Sequence, residues 1–220
     1  MANFDHIHAI AELSESEGVF TTAQAARMGI SRDALHDATE SGRIERILRG
    51  AYRLVGSGFT QIDELVAIWK LTSPDKFAYE RMQPSGWDGI VIGGSTAASV
   101  LGLGDFYLSP YRIFAPKRIN SRNKAVNYAV RNISRREVSF VNGLPITRPE
   151  RTIFDLVVDS EDMSLVSSAF HDAVSRDTKF DLPKLVSLFL SRFKNDKTNC
   201  ILNELGAEID ASEMRQLYEI

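Results

Sequence analysis

The 220 residues contain a single cysteine, Cys200. One thiol excludes an internal disulfide and any zinc site built from several cysteines. Cys200 reads as a packing residue rather than a nucleophile. Nowhere do about 18 apolar residues follow one another, so no membrane-spanning helix is expected. The opening MANFDHIHAIAELSESEG is acidic and has no long apolar stretch, so it is not a signal peptide. A Walker loop and a GxGxxG fingerprint are both missing. Gly93-Gly94-Ser95-Thr96 invites a phosphate-loop reading, but it lacks the spacing and the lysine. Ser95 as a helix N-cap, followed by close-packing alanines, explains it better. His6 and His8 are two apart and share no helical face, so a metal site is not expected there. No nucleophile elbow or HExxH occurs. No Glu-x-Lys occurs either, and the one Asp-x-Lys, Asp177-Thr178-Lys179, sits in an acidic helical region without a strand. His171-Asp172 alone is a weak signal, because surface helices often carry such pairs. These absences point to a binding protein rather than an enzyme, with no cofactor and no metal.

The net charge of −3 argues against nucleic acid at first sight, but its distribution does not. Residues 112–151 hold ten Lys and Arg against two Asp and Glu, a local net of +8. Such asymmetry suggests a polyanion site.

The stretch 18–54, GVFTTAQAARMGISRDALHDATESGRIERILRGAYRL, is the most informative. Thr21 and Gln24 form a capping box for a short helix carrying Ala25 and Met28. Gly29-Ile30 turns the chain. Ser31 caps a second helix, which Gly42 stops after Ser41. RIERIL and AYRLV then read as two strands joined at Arg49-Gly50, a hairpin turn in which Gly supplies the unusual backbone. Helix, turn, helix and hairpin make a winged helix-turn-helix. On the second helix Ile30, Leu35 and Ala38 fall together, with Ala34 close by. Arg32, Asp33, His36 and Glu40 fall on the other side, the side that enters the major groove in such a motif. Arg reads guanine, a carboxylate accepts from cytosine N4, and His donates to a base or phosphate. Arg43, Arg46, Arg49 and Arg53 lie along the hairpin, and wing arginines commonly meet phosphate or the minor groove. The DNA-binding candidates are therefore Ser31, Arg32, Asp33, His36, Arg43, Arg46 and Arg49, with Arg49 and Arg46 the strongest of the wing. The plainer alternative is a solvated helix face and strand-edge charges that keep the hairpin soluble.

Ile7, Ile10, Ala11 and Leu13 predict a helix over 3–16 that supports the motif. Val55-Gly56-Ser57-Gly58 is a flexible break and the preferred domain boundary. A helix is expected over 60–72, then a short buried strand in GIVI and a small-residue helix. YRIFA, NYAVRN and VSFVNGLPIT look like strands, with Asn142-Gly143 as a hairpin signal. Between the first two lies APKRINSRNKA. The basic-surface candidates are Lys117, Arg118, Arg122, Lys124, Arg131, Arg135 and Arg136. The alternative is a solvated loop that balances an acidic C-terminus. Thr147-Arg148-Pro149-Glu150 reads as a capping box. Arg148, Glu150, Arg151 and Asp155 would form a local ion network. Further helices are expected at 163–175, 182–193 and 199–217.

The fold class is thus α+β: an N-terminal winged helix-turn-helix over 1–55, followed by a larger mixed α/β domain over 60–220. TTAQAARMGIS, SGRIERILRG and the RGAYRL end of the wing, with TRPERTIFDLV further on, resemble AbiEi-type antitoxins of type IV toxin–antitoxin systems. The strand, Ser-Ala helix and Gly-Leu pattern after the wing is similar as well. The resemblance implies a cytoplasmic antitoxin that represses its own operon by binding operator DNA at inverted repeats. It also implies a nucleotidyltransferase toxin as functional partner, counteracted without a stable complex, with antitoxicity in the C-terminal domain. Two rivals are a transcriptional regulator whose C-terminal domain senses a ligand or oligomerises, and a DNA-processing enzyme.

Overall fold

In a computed structural model the described residues are 2–57, 60–176 and 180–207, with side chains from residue 6 onward. Gly58, the Asp177-Thr178-Lys179 triplet and the part of the last expected helix beyond 207 lie outside them. The chain divides into two compact units, residues 1–88 and 89–220.

The first unit begins with α1 (Ala2–Glu17), β1 (Val19–Thr21) and α2 (Thr22–Arg27). It continues through α3 (Arg32–Glu40), β2 (Ile44–Leu48) and β3 (Ala51–Leu54), and ends with α4 (Asp63–Leu71) and α5 (Ala78–Met82). The three strands form an antiparallel sheet in the order β1-β3-β2. The expected local signals act as read. Thr21 Oγ1 accepts from the Gln24 N–H at 3.0 Å, and Gln24 Oε1 accepts from the Thr21 N–H at 2.8 Å. Gly29 takes a positive φ of 76° in the turn between α2 and α3, where a Cβ would be strained. Ile10 and Leu13 of α1 meet Phe20, Ala25, Ile30, Leu35, Ala38 and Ile44 in one buried cluster. This amphipathic packing holds the motif together, because α2 and α3 are each too short to be stable alone. β1 adds a third strand that three residues could not announce by periodicity.

The break expected at 55–58 lies within the first unit. Beyond it, Arg53 on β3 pairs with Asp63 of α4 at 2.8 Å, and Lys70 of α4 pairs with Glu17 of α1 at 2.5 Å. Arg81 stacks 3.7 Å over Trp69 and donates to the Trp69 carbonyl. The 60–88 segment is therefore built onto the winged helix by buried charges.

The second unit starts with β4 (Val91–Ile92), α6 (Gly94–Leu101), β5 (Tyr111–Ala115) and β6 (Val126–Val130). β7 (Val138–Val141) and β8 (Leu144–Thr147) follow, then α7 (Pro149–Val158), α8 (Met163–Arg176), α9 (Leu182–Arg192) and α10 (Asn195–Leu205). Its five-stranded sheet runs β6-β5-β4-β8-β7. β4 pairs antiparallel with β5 and parallel with β8, β5 is parallel to β6, and β7 antiparallel to β8. The α+β class with a mixed sheet in the larger C-terminal part is borne out. Asn142 and Gly143 both take positive φ, as a type I′ hairpin turn requires. Ile153, Leu156, Val166, Phe170, Leu185, Phe189 and Leu202 bring α7 to α10 into one apolar core.

Two expected caps are not formed. The N-cap of α6 is Gly93, one residue earlier than the helix start, and Ser95 lies inside the first turn. A Cβ on Gly93 would fall 1.9 Å from Cε2 of the buried Phe114, so the cap position has no room for a side chain. The Thr147–Glu150 capping box is absent as well. Arg148 is the N-cap of α7 and Pro149 its first residue. Thr147 belongs to β8, and its hydroxyl bonds that of Thr152 at 2.7 Å. Glu150 Oε1 instead accepts from the Asp181 N–H at the start of α9, 2.8 Å away. α10 begins at Asn195, ahead of the expected 199.

Candidate nucleic-acid interface

α3 is amphipathic. Leu35 and Ala38 are buried beneath it, while Arg32, Asp33, His36 and Glu40 are exposed. Ser31 Oγ accepts from the Ala34 N–H at 3.1 Å, which leaves its own proton available to a ligand. Arg32, Asp33 and His36 form no ion pair or side-chain hydrogen bond among the described residues. α3 thus turns its apolar side to α1 and β2 and leaves a cation, a carboxylate and an imidazole exposed, without partners among the described residues.

The wing arginines divide sharply. Arg43 and Arg49 are exposed and unpaired among the described residues, Arg43 just ahead of β2 and Arg49 at the hairpin tip beside Gly50. Arg46 is exposed and leans on its own hairpin through a long bond to the Leu48 carbonyl, 3.4 Å. Arg53 points the other way. It is 12% exposed and held by Glu45 and Asp63. Register explains this. Arg53 is paired with Glu45 and Arg46 with Tyr52, so successive residues face opposite sides of the sheet. Arg53 is a structural clamp between wing and α4.

α2 is held from behind. Arg27 makes a bidentate pair with Glu80 and lies 4.4 Å over the Phe77 ring. Arg27 and the Phe77 N–H hold the Glu80 carboxyl down to about 2. Glu17 Oε2 accepts from Gln24 Nε2 at 3.1 Å as well as from Lys70 Nζ. Burial pulls the Lys70 ammonium below its ordinary value, against the opposing charge of Glu17. Sequence reasoning missed Glu17, Lys70 and Glu80. Their partners are some fifty residues away along the chain, and no local spacing signals such pairs.

In the second unit the basic block also splits. Lys117, Arg118, Arg122 and Lys124 are exposed on the loop 116–125 and engage no carboxylate among the described residues. Arg135 and Arg136 are exposed on a short turn before β7, Arg135 lying 5.6 Å from the Phe140 ring centre. Arg131 was expected among the surface bases and is instead turned inward. It is 17% exposed, pairs with Asp155 at 2.8 Å and with Asp159, and covers Phe114 at 4.5 Å. Arg112 makes a bidentate pair with Asp159, and Arg151 bridges Asp155 and Glu137. The expected network around Arg151 and Asp155 therefore exists, but Arg148 is exposed and Glu150 serves α9. Burial pushes the Asp155 carboxyl up, against the pull of Arg151 and Arg131. For Arg151 burial works against the charge, but Asp155 and Glu137 outweigh it and raise the guanidinium further.

No group of three or more His, Cys, Asp or Glu among the described residues could hold a metal ion. No helix among them is long and apolar enough to cross a membrane.

Because three cationic side chains flank α3 on a projecting hairpin, one substitution has a clean expected readout. On the reading that the wing meets DNA, Arg49→Ala should weaken operator and random duplex alike, since wing-tip arginines commonly meet phosphate rather than base. The slope of log affinity against log salt should shrink by about 0.9, the value of one lost phosphate contact. A fluorescence titration at several salt concentrations measures it, and an unchanged slope would place the wing tip off the DNA.

Among solved structures the chain is similar to the RV2827C protein from Mycobacterium tuberculosis, with a TM-score of 0.57 and 15% identity. The match covers 91% of this chain and 75% of that one, a likeness of fold. No curated protein matches the chain. Over residues 8–55, which carry most of α1, the helix-turn-helix and the wing, the chain matches the family model of a transcriptional regulator, AbiEi antitoxin, as the motifs in TTAQAARMGIS and RGAYRL led us to expect.

Proposed function

We propose that this protein is the antitoxin of a type IV toxin–antitoxin system and the repressor of its own operon. Residues 1–55 read inverted repeats in operator DNA, and residues 60–220 counteract a nucleotidyltransferase toxin without a lasting complex. Both acts take place in the cytoplasm. The observation that carries this reading is the match of residues 8–55 to the antitoxin regulator family, on a segment whose α3 keeps Arg32, Asp33 and His36 exposed and unengaged among the described residues.

Base readout is tested on the operator. Arg32→Ala and His36→Ala should each relax discrimination at one operator position by about 1–3 kcal/mol, the usual worth of a base contact. Footprints on wild-type and base-substituted operators measure this, and two wild-type footprints would sink the assignment of α3. Antitoxicity is tested by growth rescue from the product of a neighbouring nucleotidyltransferase gene.

A ligand-sensing regulator is the second reading. It draws support from a cleft of about 510 Å³ in the second unit, lined by Ser95, Tyr107, Arg112, Asn127 and Asp159. Failure to rescue growth, with intact operator binding, would favour it.

A further inference from the structure

We propose that the loop 116–125 and the neighbouring strand β6 bind a single strand of nucleic acid, a site separate from the duplex-reading surface of α3 and the wing. The topology creates the site. β5 and β6 are adjacent and parallel, so the chain must return the length of a strand before it can pair again, about 16 Å for five residues. Such crossovers usually contain a helix. Here an irregular loop makes the return, and a cleft of about 330 Å³ opens between it and β6.

The loop is ordered by its own polar residues. Ser121 Oγ accepts from the Asn123 N–H at 3.0 Å, and Asn123 Oδ1 accepts from the Ala125 N–H at 2.9 Å. These bonds shape the 121–125 part of the loop, which carries Arg122 and Lys124. Lys117 and Arg118 line the cleft, and Arg122 and Lys124 continue along the loop.

The contrast with the other bases of this block is the strongest argument. Arg112, Arg131 and Arg151 are each matched by buried or half-buried carboxylates. The four loop cations have no such match among the described residues. Four like charges held together without counter-charge repel one another, and a polyphosphate backbone relieves that repulsion.

The shape selects a strand. Duplex DNA is read by elements that project into a groove, as α3 and the wing hairpin do. A concave cationic slot takes a single backbone, with aromatic and polar groups meeting the bases. The wall of this slot holds Tyr128, and Asn120, Ser121 and Asn127 provide amide and hydroxyl groups beside it. Asn and Ser can also meet a 2′-hydroxyl, which distinguishes RNA from DNA.

The test uses the full chain and three labelled probes: a twelve-residue oligouridylate, its deoxy counterpart and a short duplex without operator sequence. The background carries Arg32→Ala and Arg49→Ala to suppress binding by the first unit. In that background the single strands should bind more tightly than the duplex. Adding Lys117→Gln, Arg118→Gln, Arg122→Gln and Lys124→Gln should weaken strand binding at least tenfold at moderate salt. The salt slope should fall by about 3, four contacts at about 0.7 each for single strands. Preference for the ribo-strand or equal binding of both strands supports the site and tells RNA from any single strand. The same four changes alone should leave the operator footprint intact, which keeps this inference separate from the operator reading. Thermal melts should match, because exposed charges contribute little to folding. Unchanged strand affinity in the fourfold variant overturns the proposal, as does preference for the duplex.

Discussion

Glu17→Ala will destabilise the first unit by about 3–5 kcal/mol, the penalty for leaving one partner of a buried ion pair alone. Glu17 and Lys70 side chains are each 3% exposed, and both lie where water cannot compensate a lost partner. Glu17 serves three donors at once: Lys70 Nζ, Gln24 Nε2 and the Ala78 N–H through its carboxylate, with Lys70 Nζ meeting its backbone carbonyl as well. Removing the carboxylate takes one acceptor from the capping-box glutamine of α2 and the counter-charge from the lysine of α4. Operator affinity should therefore fall with the folded fraction, although Glu17 meets no DNA in this reading. The loss should be pH-dependent. Folding already depresses the Lys70 pKa below 10.5 through burial, and without Glu17 nothing nearby of comparable strength opposes that burial. The unfolded chain then binds more protons than the folded one, so stability of the variant should rise as pH climbs from the depressed folded value towards 10.5. Urea denaturation across that range measures the trend. Glu17→Leu combined with Lys70→Met should restore most of the stability, since an apolar pair can replace a buried ionic one. If Glu17→Ala melts like the wild type, the pair contributes nothing to holding the motif.

The second large effect is expected at Asp155, whose side chain is fully buried between Arg131 and Arg151. Asp155→Ala removes the carboxylate that both guanidinium groups share. It leaves Arg131 with Asp159 alone and Arg151 with Glu137 alone, two guanidinium groups 17% and 12% exposed beside a new cavity. We expect a loss of about 3–5 kcal/mol. Asp159 cannot take over, because it already accepts from Arg112 and from Arg131. Asp155→Asn should cost less, since the amide oxygen still accepts one bond. Hydrogen exchange should show the amides of β5, β6 and α7 opening, while those of α3 and the wing keep their protection. Equal protection in both variants and wild type would mean that the network is ornamental to the fold.

The Glu17–Lys70 pair was invisible to local reading, and at Asp155 only the pairing with Arg151, four residues away, was legible, whereas the winged motif was legible as a whole. Thr21-Gln24, Ser31, Gly42 and the Arg49-Gly50 turn act through neighbours three or four residues away, so the chain alone specifies helix, turn, helix and wing. The buried side of α3 was legible for the same reason. Ile30, Leu35 and Ala38 recur at helical spacing, and the exposed side follows by exclusion. The hairpin at Asn142-Gly143 belongs to the same class.

Charge was legible as an amount but not as an arrangement. Ten bases in 112–151 announced a basic block, yet nothing local told Arg131 from Arg118. Arg131 leaves β6 just where the chain can reach Asp155 and Asp159 on α7 and its end, and pairing in a half-buried place wins over exposure. Arg118 sits on the crossover loop, where no carboxylate is within reach among the described residues. The caps at Ser95 and Thr147 went astray for a related reason. Packing of Phe114 at Gly93, and the pull of Thr152 and Asp181 on Thr147 and Glu150, outbid local propensity. By itself the sequence determined the short-range elements and the winged motif, because capping, turn chemistry and amphipathic periodicity act within one or two turns of chain. The tertiary structure alone decided which charges are paired inside the protein and which remain exposed. That division depends on contacts between residues tens of positions apart, and only the fold brings them together.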